Sequence, residues 1–151
     1  MPYAWRIVKA KYAATAFTGE GASRTGGRWN SRGVWMVYTS ASKSLAALET
    51  LVHLNPPVLF NYVTIRLEFD DALVEKVPQA DLPKGWTEQP APPSTKEIGD
   101  AWVKERRSAV LQIASVIVPD ESNYLLNSAH ADFRKIVIGK PEPFAFDPRL
   151  L

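Results

Sequence analysis

The stretch FNYVTIRLEF, residues 60–69, decides the fold class of this chain. Its apolar and polar residues alternate: one face takes Val63, Ile65, Leu67 and Phe69, and the other takes Tyr62, Thr64, Arg66 and Glu68. Side chains two positions apart lie on the same face of a strand, so this pattern predicts a β-strand with one buried face. The core is therefore expected on the side of Ile65.

Two more strands are expected on the N-terminal side of this stretch, at residues 3–8 and 34–39. Both segments are rich in β-branched and aromatic residues, which favour strands. Between them, residues 19–33 hold five of the eight glycines. Such a density of glycine is typical of a loop, or of backbone that approaches a ligand closely. We therefore expect a loop at residues 19–33.

Residues 42–54 predict a helix. Ser42 is an N-cap residue by type, and apolar residues recur at three- and four-residue spacing at Leu45, Leu48 and Val52. Asn55-Pro56-Pro57 is expected to end this helix, because proline interrupts helical hydrogen bonding. The sequence thus predicts a strand followed directly by a helix.

The following segment, residues 78–93, contains five prolines and predicts an irregular surface excursion. Residues 94–97 (STKE) match a capping box, and a second helix is expected behind it. Its apolar stripe is formed by Ile98, Ala101 and Trp102.

The C-terminal part predicts further strands. Residues 110–118 are almost continuously apolar, which is typical of a strand covered on both faces. Residues 135–138 and 144–147 predict two short strands. The expected fold class is α+β, a single domain over residues 1–151 with central mixed or antiparallel β-structure flanked by short helices.

Composition narrows the function classes. The 151 residues include no cysteine and only two histidines, and the formal net charge is +2. Neither a disulfide nor a thiolate metal site is available, and we expect no metal. The N-terminus lacks the apolar core of a signal peptide, and no apolar run is long enough to span a bilayer. We expect a cytoplasmic protein that does not contact a membrane.

Residues 26–30 (GGRWN) place two glycines beside a guanidinium. Exposed backbone N–H groups and the planar donor fork of Arg28 suit a phosphate or pyrophosphate. The alternative is a glycine turn followed by a surface arginine. The segment matches neither GxGxxG nor the P-loop pattern, which disfavours those nucleotide sites. Arg6, Arg24 and Arg32 are further candidates for anion binding or are solvated surface.

Glu49 lies on the flank of the apolar stripe of the predicted helix, where its carboxylate is partly desolvated. It either pairs with a cation such as His53 or takes part in chemistry. Tyr38 and Ser40 end the preceding predicted strand, a common position for ligand contacts. Ser115 within an apolar run needs a hydrogen-bond partner or a ligand. Asn123, like Tyr124 and Asn127, is either an amide contact or a turn residue.

Nine sequence blocks together resemble the RES domain family, in order and over essentially the whole chain. They are WRI (5–7), GGRWNSRG (26–33), VYTS (37–40), LAALETLVHL (45–54), LPKGW (82–86), IGDAW (98–102), ASVIVP (114–119), SNYLLNSAHADF (122–133) and FDPRL (146–150). The arginine, glutamate and serine that name the family correspond to Arg28, Glu49 and Ser115. The resemblance implies a fold similar to ADP-ribosyltransferase toxins of the diphtheria type.

By that resemblance, Arg28, Tyr38 and Glu49 form a catalytic triad that acts on NAD as a substrate. The expected NAD-binding residues are Arg6, Gly27, Arg28, Tyr38, Ser40, Ser115 and Asn123. No permanently bound cofactor is expected, and inorganic phosphate is a candidate co-substrate.

The role implied by the family is that of a toxin in a toxin–antitoxin pair. Its partner would be an Xre-type helix-turn-helix antitoxin, with DNA bound only indirectly through that antitoxin.

Three functions stay open at this point. The first is cleavage of the nicotinamide–ribose bond of NAD, as a glycohydrolase or a phosphorylase. The second is mono-ADP-ribosylation of a protein target. The third is a non-catalytic or RNA-binding module that uses its basic loop with Trp29 and Trp35.

Overall fold

The computed structural model describes residues 2–54 and 61–151, and these residues form an eight-stranded sheet with three α-helices. The strands are β1 (Tyr3–Lys9), β2 (Val37–Ser40), β3 (Tyr62–Glu68), β4 (Val74–Lys76), β5 (Val110–Ala114), β6 (Ser122–Leu126), β7 (Val137–Ile138) and β8 (Glu142–Phe144). The helices are α1 (Glu20–Thr25), α2 (Lys43–Leu51) and α3 (Pro93–Lys104). Short 3-10 turns lie at Ala10–Thr15, Asp71–Leu73, Gln79–Asp81, Ala131–Lys135 and Pro148–Leu150.

The strand order is β4-β5-β6-β2-β1-β3-β7, and β8 also pairs with β3. The β4–β5 pair is parallel, and the other pairs in the described residues are antiparallel. This mixed sheet with a few helices confirms the predicted α+β class. None of the helices in the described ranges is both long enough and apolar enough to cross a membrane.

The predicted alternating strand is β3, which pairs with β1 from Tyr3 opposite Glu68 to Lys9 opposite Tyr62. Ile65 and Leu67 are buried, as the alternation predicted. Tyr62 and Thr64, expected on the polar face, are buried as well. For Tyr62 the reason is tertiary, because its side chain packs in one cluster with Ala46 of α2 and Phe146. The predicted first residue, Phe60, lies outside the described residues.

The β2–α2 unit confirms the predicted strand and helix but not their lengths. β2 begins at Val37, three residues later than expected, and α2 ends at Leu51. The Oγ atom of Ser42 accepts a hydrogen bond from the Leu45 N–H group at 3.1 Å, so the predicted N-cap is confirmed. Residues 55–57, expected to end the helix, are outside the described part.

The predicted apolar stripe of α2 is wrong in two of its three positions. Leu45 is buried, but Leu48 and Val52 are 39% and 60% exposed. The helix packs on the sheet through Leu45 and the small Ala46 instead. Glu49 lies four residues after Leu45 and three after Ala46, so it shares the packed face of α2.

The apolar run at residues 110–118 forms a shorter strand than predicted, because β5 ends at Ala114. Next to it lies β6, which the sequence did not predict, since its asparagine suggested a turn. β6 pairs with β5 on one side and with β2 on the other, so it is an inner strand. The three-residue β4 was also missed. The strand predicted at residues 135–138 is present as the shorter β7, whereas β8 precedes the strand predicted at residues 144–147 and shares only Phe144 with it.

Two further expectations are wrong: the uninterrupted loop at residues 19–33 and the capping box at residues 94–97. The glycine-rich segment contains α1, which starts after Gly19 (φ 87°) and ends before Gly26 (φ 71°). α3 begins at Pro93 after the N-cap Pro92 and has no side-chain cap bond, so residues 94–97 are not a capping box. The predicted apolar stripe behind them is present, because Trp102 is fully buried and Ile98 packs on the same cluster.

Candidate active site

A cavity of about 1140 Å³ opens between the centre of the sheet, α2 and the glycine-rich loop. The residues that line it come from distant parts of the chain. Those with polar side chains include Arg6, Lys9, Arg28, Tyr38, Ser40, Glu49, His53, Gln89, Lys96 and Asn123. Within the described part of the chain, Glu49 is the lining residue with a carboxylate. The charges around the cavity are therefore mostly positive.

Glu49 is fixed from two sides. Its Oε1 atom accepts hydrogen bonds from the Ser115 Oγ atom at 2.7 Å and from the Asn123 Nδ2 atom at 3.0 Å. Among residues 2–54 and 61–151, no side chain or backbone group donates to Oε2. Likewise, no ion pair joins Glu49 to His53 in these residues. One carboxylate oxygen is thus held in place, and the other is available to a ligand.

The two donors to Glu49 are themselves held rigidly. Ser115 is fully buried, and its Oγ atom accepts hydrogen bonds from the N–H groups of Ile117 and Val118, both at 3.1 Å. Asn123 accepts a hydrogen bond from the buried Ser40 hydroxyl at 2.8 Å. The carboxylate geometry therefore depends on β2, β6, α2 and the turn after β5 together.

Arg28 reaches across to the segment before α3. Its Nη1 atom donates to the carbonyl oxygens of Trp86 and Glu88 at 3.0 and 2.8 Å. Its Nη2 atom donates to Gln89 Oε1 at 2.6 Å. A guanidinium has five N–H donors, so two of them, one on Nε and one on Nη2, are not used by these bonds. Desolvation lowers the pKa of Arg28, while the neighbouring Glu49 and Tyr38 oppose this shift.

α3 holds the backbone around Arg28. The Thr95 hydroxyl donates to the Arg28 carbonyl at 2.6 Å, and the Asp100 carboxylate accepts from the N–H and hydroxyl of Ser31 at 2.9 and 2.5 Å. Gly99 is required for this contact, because a Cβ atom there would lie 1.8 Å from the Trp29 carbonyl oxygen. The glycine-rich loop therefore packs directly against α3.

Tyr38 points its hydroxyl into the same loop. The hydroxyl donates to Asn30 Oδ1 at 2.5 Å and accepts from the Trp29 N–H group at 3.2 Å. Burial raises the pKa of this phenol above its ordinary value. A Cβ atom on Gly27 would lie 2.7 Å from the hydroxyl oxygen, so a larger residue there would displace the Tyr38 side chain. The Tyr38 hydroxyl is therefore occupied by the protein, and its ring is the part that can contact a ligand.

Arg6 lies behind Tyr38 on the neighbouring strand. Its Nε atom donates to the Ala16 carbonyl at 2.6 Å, and its Nη1 atom donates to the Tyr38 carbonyl at 2.8 Å. Desolvation by burial lowers the pKa of Arg6 to about 10, so this guanidinium is still a cation at neutral pH. It adds a fixed positive charge to the cavity wall.

The structure brings most of the sequence-predicted residues to this one cavity. Arg6, Gly27, Arg28, Tyr38, Ser40, Glu49 and Asn123 all line it. Ser115 does not line it but lies behind Glu49. Sequence reasoning missed Gln89 and Lys96, which stand in a proline-rich segment and in the misread capping box. No motif would have revealed them.

Other features of the described residues bear on competing functions. They contain no cluster of three or more histidine, aspartate or glutamate side chains arranged to hold a metal ion. Trp29 is buried at 3% exposure, whereas Trp35 is 48% exposed. Only one of the two aromatics considered for an RNA-stacking surface is therefore accessible.

The fold and the site define an α+β protein with a cationic cavity that contains one positioned carboxylate. Residues 3–147 match the model of the RES domain, and the chain belongs to the RES domain family. It is 40% identical over 148 residues to "Toxin Res" of Yersinia enterocolitica, covering 97% of each chain. It is also 40% identical over 153 residues to "Prs ADP-ribosylating toxin" of a Sphingobium species, covering 97% of this chain and 95% of that protein.

A solved structure supports the same fold. The crystal structure of the MbcT–MbcA toxin–antitoxin complex of M. tuberculosis contains a chain that superposes with a TM-score of 0.73. The match covers 95% of this chain and 84% of that chain at 16% sequence identity. This neighbour shares the α+β fold of the chain over most of both chains.

Proposed function

We propose that this chain is the toxin of a toxin–antitoxin pair and that it cleaves the nicotinamide–ribose bond of NAD. The observation that carries the proposal is the placement of Arg28, Tyr38 and Glu49 on the wall of one cavity. At about 1140 Å³ the cavity exceeds the roughly 300–1,000 Å³ of most small-molecule pockets, which suits a dinucleotide. The cations around it suit a pyrophosphate.

Each group has a distinct task. Arg28 binds the pyrophosphate through the N–H donors that its protein contacts leave over. The ring of Tyr38 packs against the nicotinamide, since its hydroxyl is already paired inside the loop. Glu49 accepts a hydrogen bond from the ribose 2′-hydroxyl through Oε2. Ser115 and Asn123 keep the carboxylate in that orientation.

The reaction breaks the bond between ribose C1′ and the pyridinium nitrogen. The electron pair stays with that nitrogen, so nicotinamide departs as a neutral molecule and needs no strong general acid. The ribose becomes an oxocarbenium-like cation. The negative charge of Glu49 stabilises this cation more than the ground state, which is the requirement for acceleration.

The acceptor that completes the reaction distinguishes three products. Water yields ADP-ribose. Inorganic phosphate yields the 1-phosphate ester of ADP-ribose, and a protein side chain yields an ADP-ribosylated target. We favour water or phosphate, and hence the loss of free NAD. The protein acceptor is the second candidate, because a relative of 40% identity is named as an ADP-ribosylating toxin.

The proposed setting is the cytoplasm, where NAD is present. The proposed partner is an antitoxin of the Xre helix-turn-helix type, and contact with DNA would be made by that partner. The support is the toxin–antitoxin complex that contains the structural neighbour.

Expression of this chain without an antitoxin tests the function. We expect cellular NAD to fall before growth stops, and Glu49→Ala to abolish both effects. Glu97→Ala is the matched control, because Glu97 is exposed on α3 and does not line the cavity. Growth arrest at an unchanged NAD level would refute NAD cleavage as the toxic activity.

A second assay identifies the acceptor. Purified protein is incubated with NAD labelled on its adenylate, in buffer alone, with phosphate, or with a cell lysate. Labelled ADP-ribose or its phosphate ester supports degradation of free NAD. Label that appears only on a protein band of the lysate supports the second candidate instead.

A further inference from the structure

Lys96 is a cation of the cavity wall to which neither the sequence motifs nor the triad assign a task. It lies in the first turn of α3, directly after Thr95. Its Nζ atom donates to the Gly27 carbonyl at 2.5 Å, while Thr95 donates to the Arg28 carbonyl at 2.6 Å. The first turn of α3 therefore binds the backbone on both sides of the Arg28 Cα atom.

This contact leaves much of the ammonium group unsatisfied. An ammonium has three N–H donors, and the bond to Gly27 uses one of them. Within residues 2–54 and 61–151, no carboxylate forms an ion pair with Lys96. Lys96 is half-buried at the cavity wall, so water hydrates these donors until a negatively charged ligand replaces it. The remaining donors are thus available at the cavity that Lys96 lines.

The charges of the cavity indicate what the ligand group is. Arg28 and Lys96 belong to the part of the wall formed by the glycine-rich loop and the first turn of α3, whereas Glu49 is held by β6 and the turn after β5. A pyrophosphate carries its negative charge over two phosphate groups, and one guanidinium with two remaining donors does not satisfy both. A guanidinium fork combined with a lysine point charge matches this pair of groups.

We infer that Lys96 is a second pyrophosphate-binding cation, which acts with Arg28 and sets the affinity for dinucleotides. This inference rests on the proposed function and names a specificity-determining residue of the same site. Lys96 contacts the phosphates in the ground state and in the transition state alike. Its removal therefore raises KM and leaves kcat nearly unchanged.

The test compares Lys96→Met with Lys104→Met, a control at the exposed end of the same helix. We expect KM for NAD to rise about tenfold in Lys96→Met, as for loss of one charge-assisted hydrogen bond, with kcat within about twofold. The inhibition constant of ADP-ribose should rise by a similar factor, and that of nicotinamide should not change. Lys96→Arg should recover most of the affinity, and Lys104→Met should match the wild type.

Other outcomes separate the two proposals. If KM for NAD is unchanged in Lys96→Met, or if kcat falls while KM stays constant, Lys96 only tethers the loop and the inference is wrong. If the wild type does not turn over NAD, titration calorimetry with NAD decides. Weaker NAD binding by Lys96→Met would then retain this inference and refute the proposed reaction. No NAD binding by the wild type would refute both.

Discussion

The two charged groups Glu49 and Arg28 on the cavity wall are held in different ways. Glu49 is held by two buried side chains, Ser115 in the turn after β5 and Asn123 in β6. Arg28 is held by two backbone carbonyls and the exposed Gln89 side chain of an irregular segment. Buried groups thus fix the carboxylate of Glu49, whereas an irregular segment at the surface holds the guanidinium of Arg28.

This difference in how Glu49 and Arg28 are held follows from the task of each group. A carboxylate that stabilises a developing cation contributes most when its position does not change during the reaction. A group that binds phosphates needs donors that its resting contacts leave over, and it has to adjust its position to the ligand. Buried side-chain networks serve the first need. A partly exposed surface segment serves the second, because water can hydrate its acceptors when the arginine moves.

The largest effect is expected from Glu49→Gln, which removes the charge and keeps the shape. An amide oxygen can still accept from Ser115, so the network is retained. We expect kcat for NAD cleavage to fall about 10²–10³-fold, because the cation loses its electrostatic stabilisation. Steady-state release of nicotinamide measures this. Glu97→Gln is the control, and a loss in Glu49→Gln of less than tenfold would assign the carboxylate a binding role only.

A smaller effect is expected from Ser115→Ala, which loosens the Glu49 carboxylate without changing Glu49 itself. Glu49 loses one of its two donors, and the N–H groups of Ile117 and Val118 lose their acceptor. We expect kcat to fall about tenfold and the free energy of unfolding to fall by about 1–3 kcal/mol. Kinetics and chemical denaturation measure the two values.

Ser122→Ala is the matched control, because Ser122 lies next to Asn123 but bonds to Gln112 rather than to Glu49. It should leave kcat within about twofold. If Ser115→Ala lowers stability and leaves kcat unchanged, the serine supports the turn alone.

The smallest effect is expected from Gln89→Ala, which affects one contact of Arg28. The substitution removes one exposed acceptor from Arg28 and leaves its two backbone acceptors in place. We expect KM for NAD to change by less than about threefold and kcat to stay constant. Gln79→Ala, in an exposed 3-10 turn, is the control. If Gln89→Ala lowers kcat more than Ser115→Ala does, the contrast between a rigidly held Glu49 and an adjustable Arg28 is wrong.

Local patterns predicted those parts of the fold in which burial follows from neighbours in the chain. The strand β3 and the cap at Ser42 are of this kind, and both are confirmed, although Tyr62 and Thr64 of the expected polar face are buried. β6 was missed because Asn123 is typical of turns. In the fold its amide is buried between Ser40 and Glu49, which provide the hydrogen bonds that a turn would otherwise provide.

The residues of the candidate site also divide into those that local patterns reveal and those that they do not. Arg28, Tyr38 and Glu49 stood out by residue type and by a family resemblance, and the predicted RES family is confirmed. Lys96 and Gln89 did not stand out, because nothing in their own segments marks a ligand. Ser115 was predicted as a contact to NAD; the structure places it behind Glu49, and a direct contact stays a prediction.

The sequence by itself determined the period of the main strand, the cap of α2, the family and the residue types of the triad, since these depend on residues a few positions apart or on matched blocks. Only the tertiary structure decided which donors hold Glu49, which carbonyls hold Arg28, and that α3 brings Lys96 to the loop. These contacts join residues 58–74 positions apart. Their geometry is set by how strands and helices pack, and no local pattern contains it.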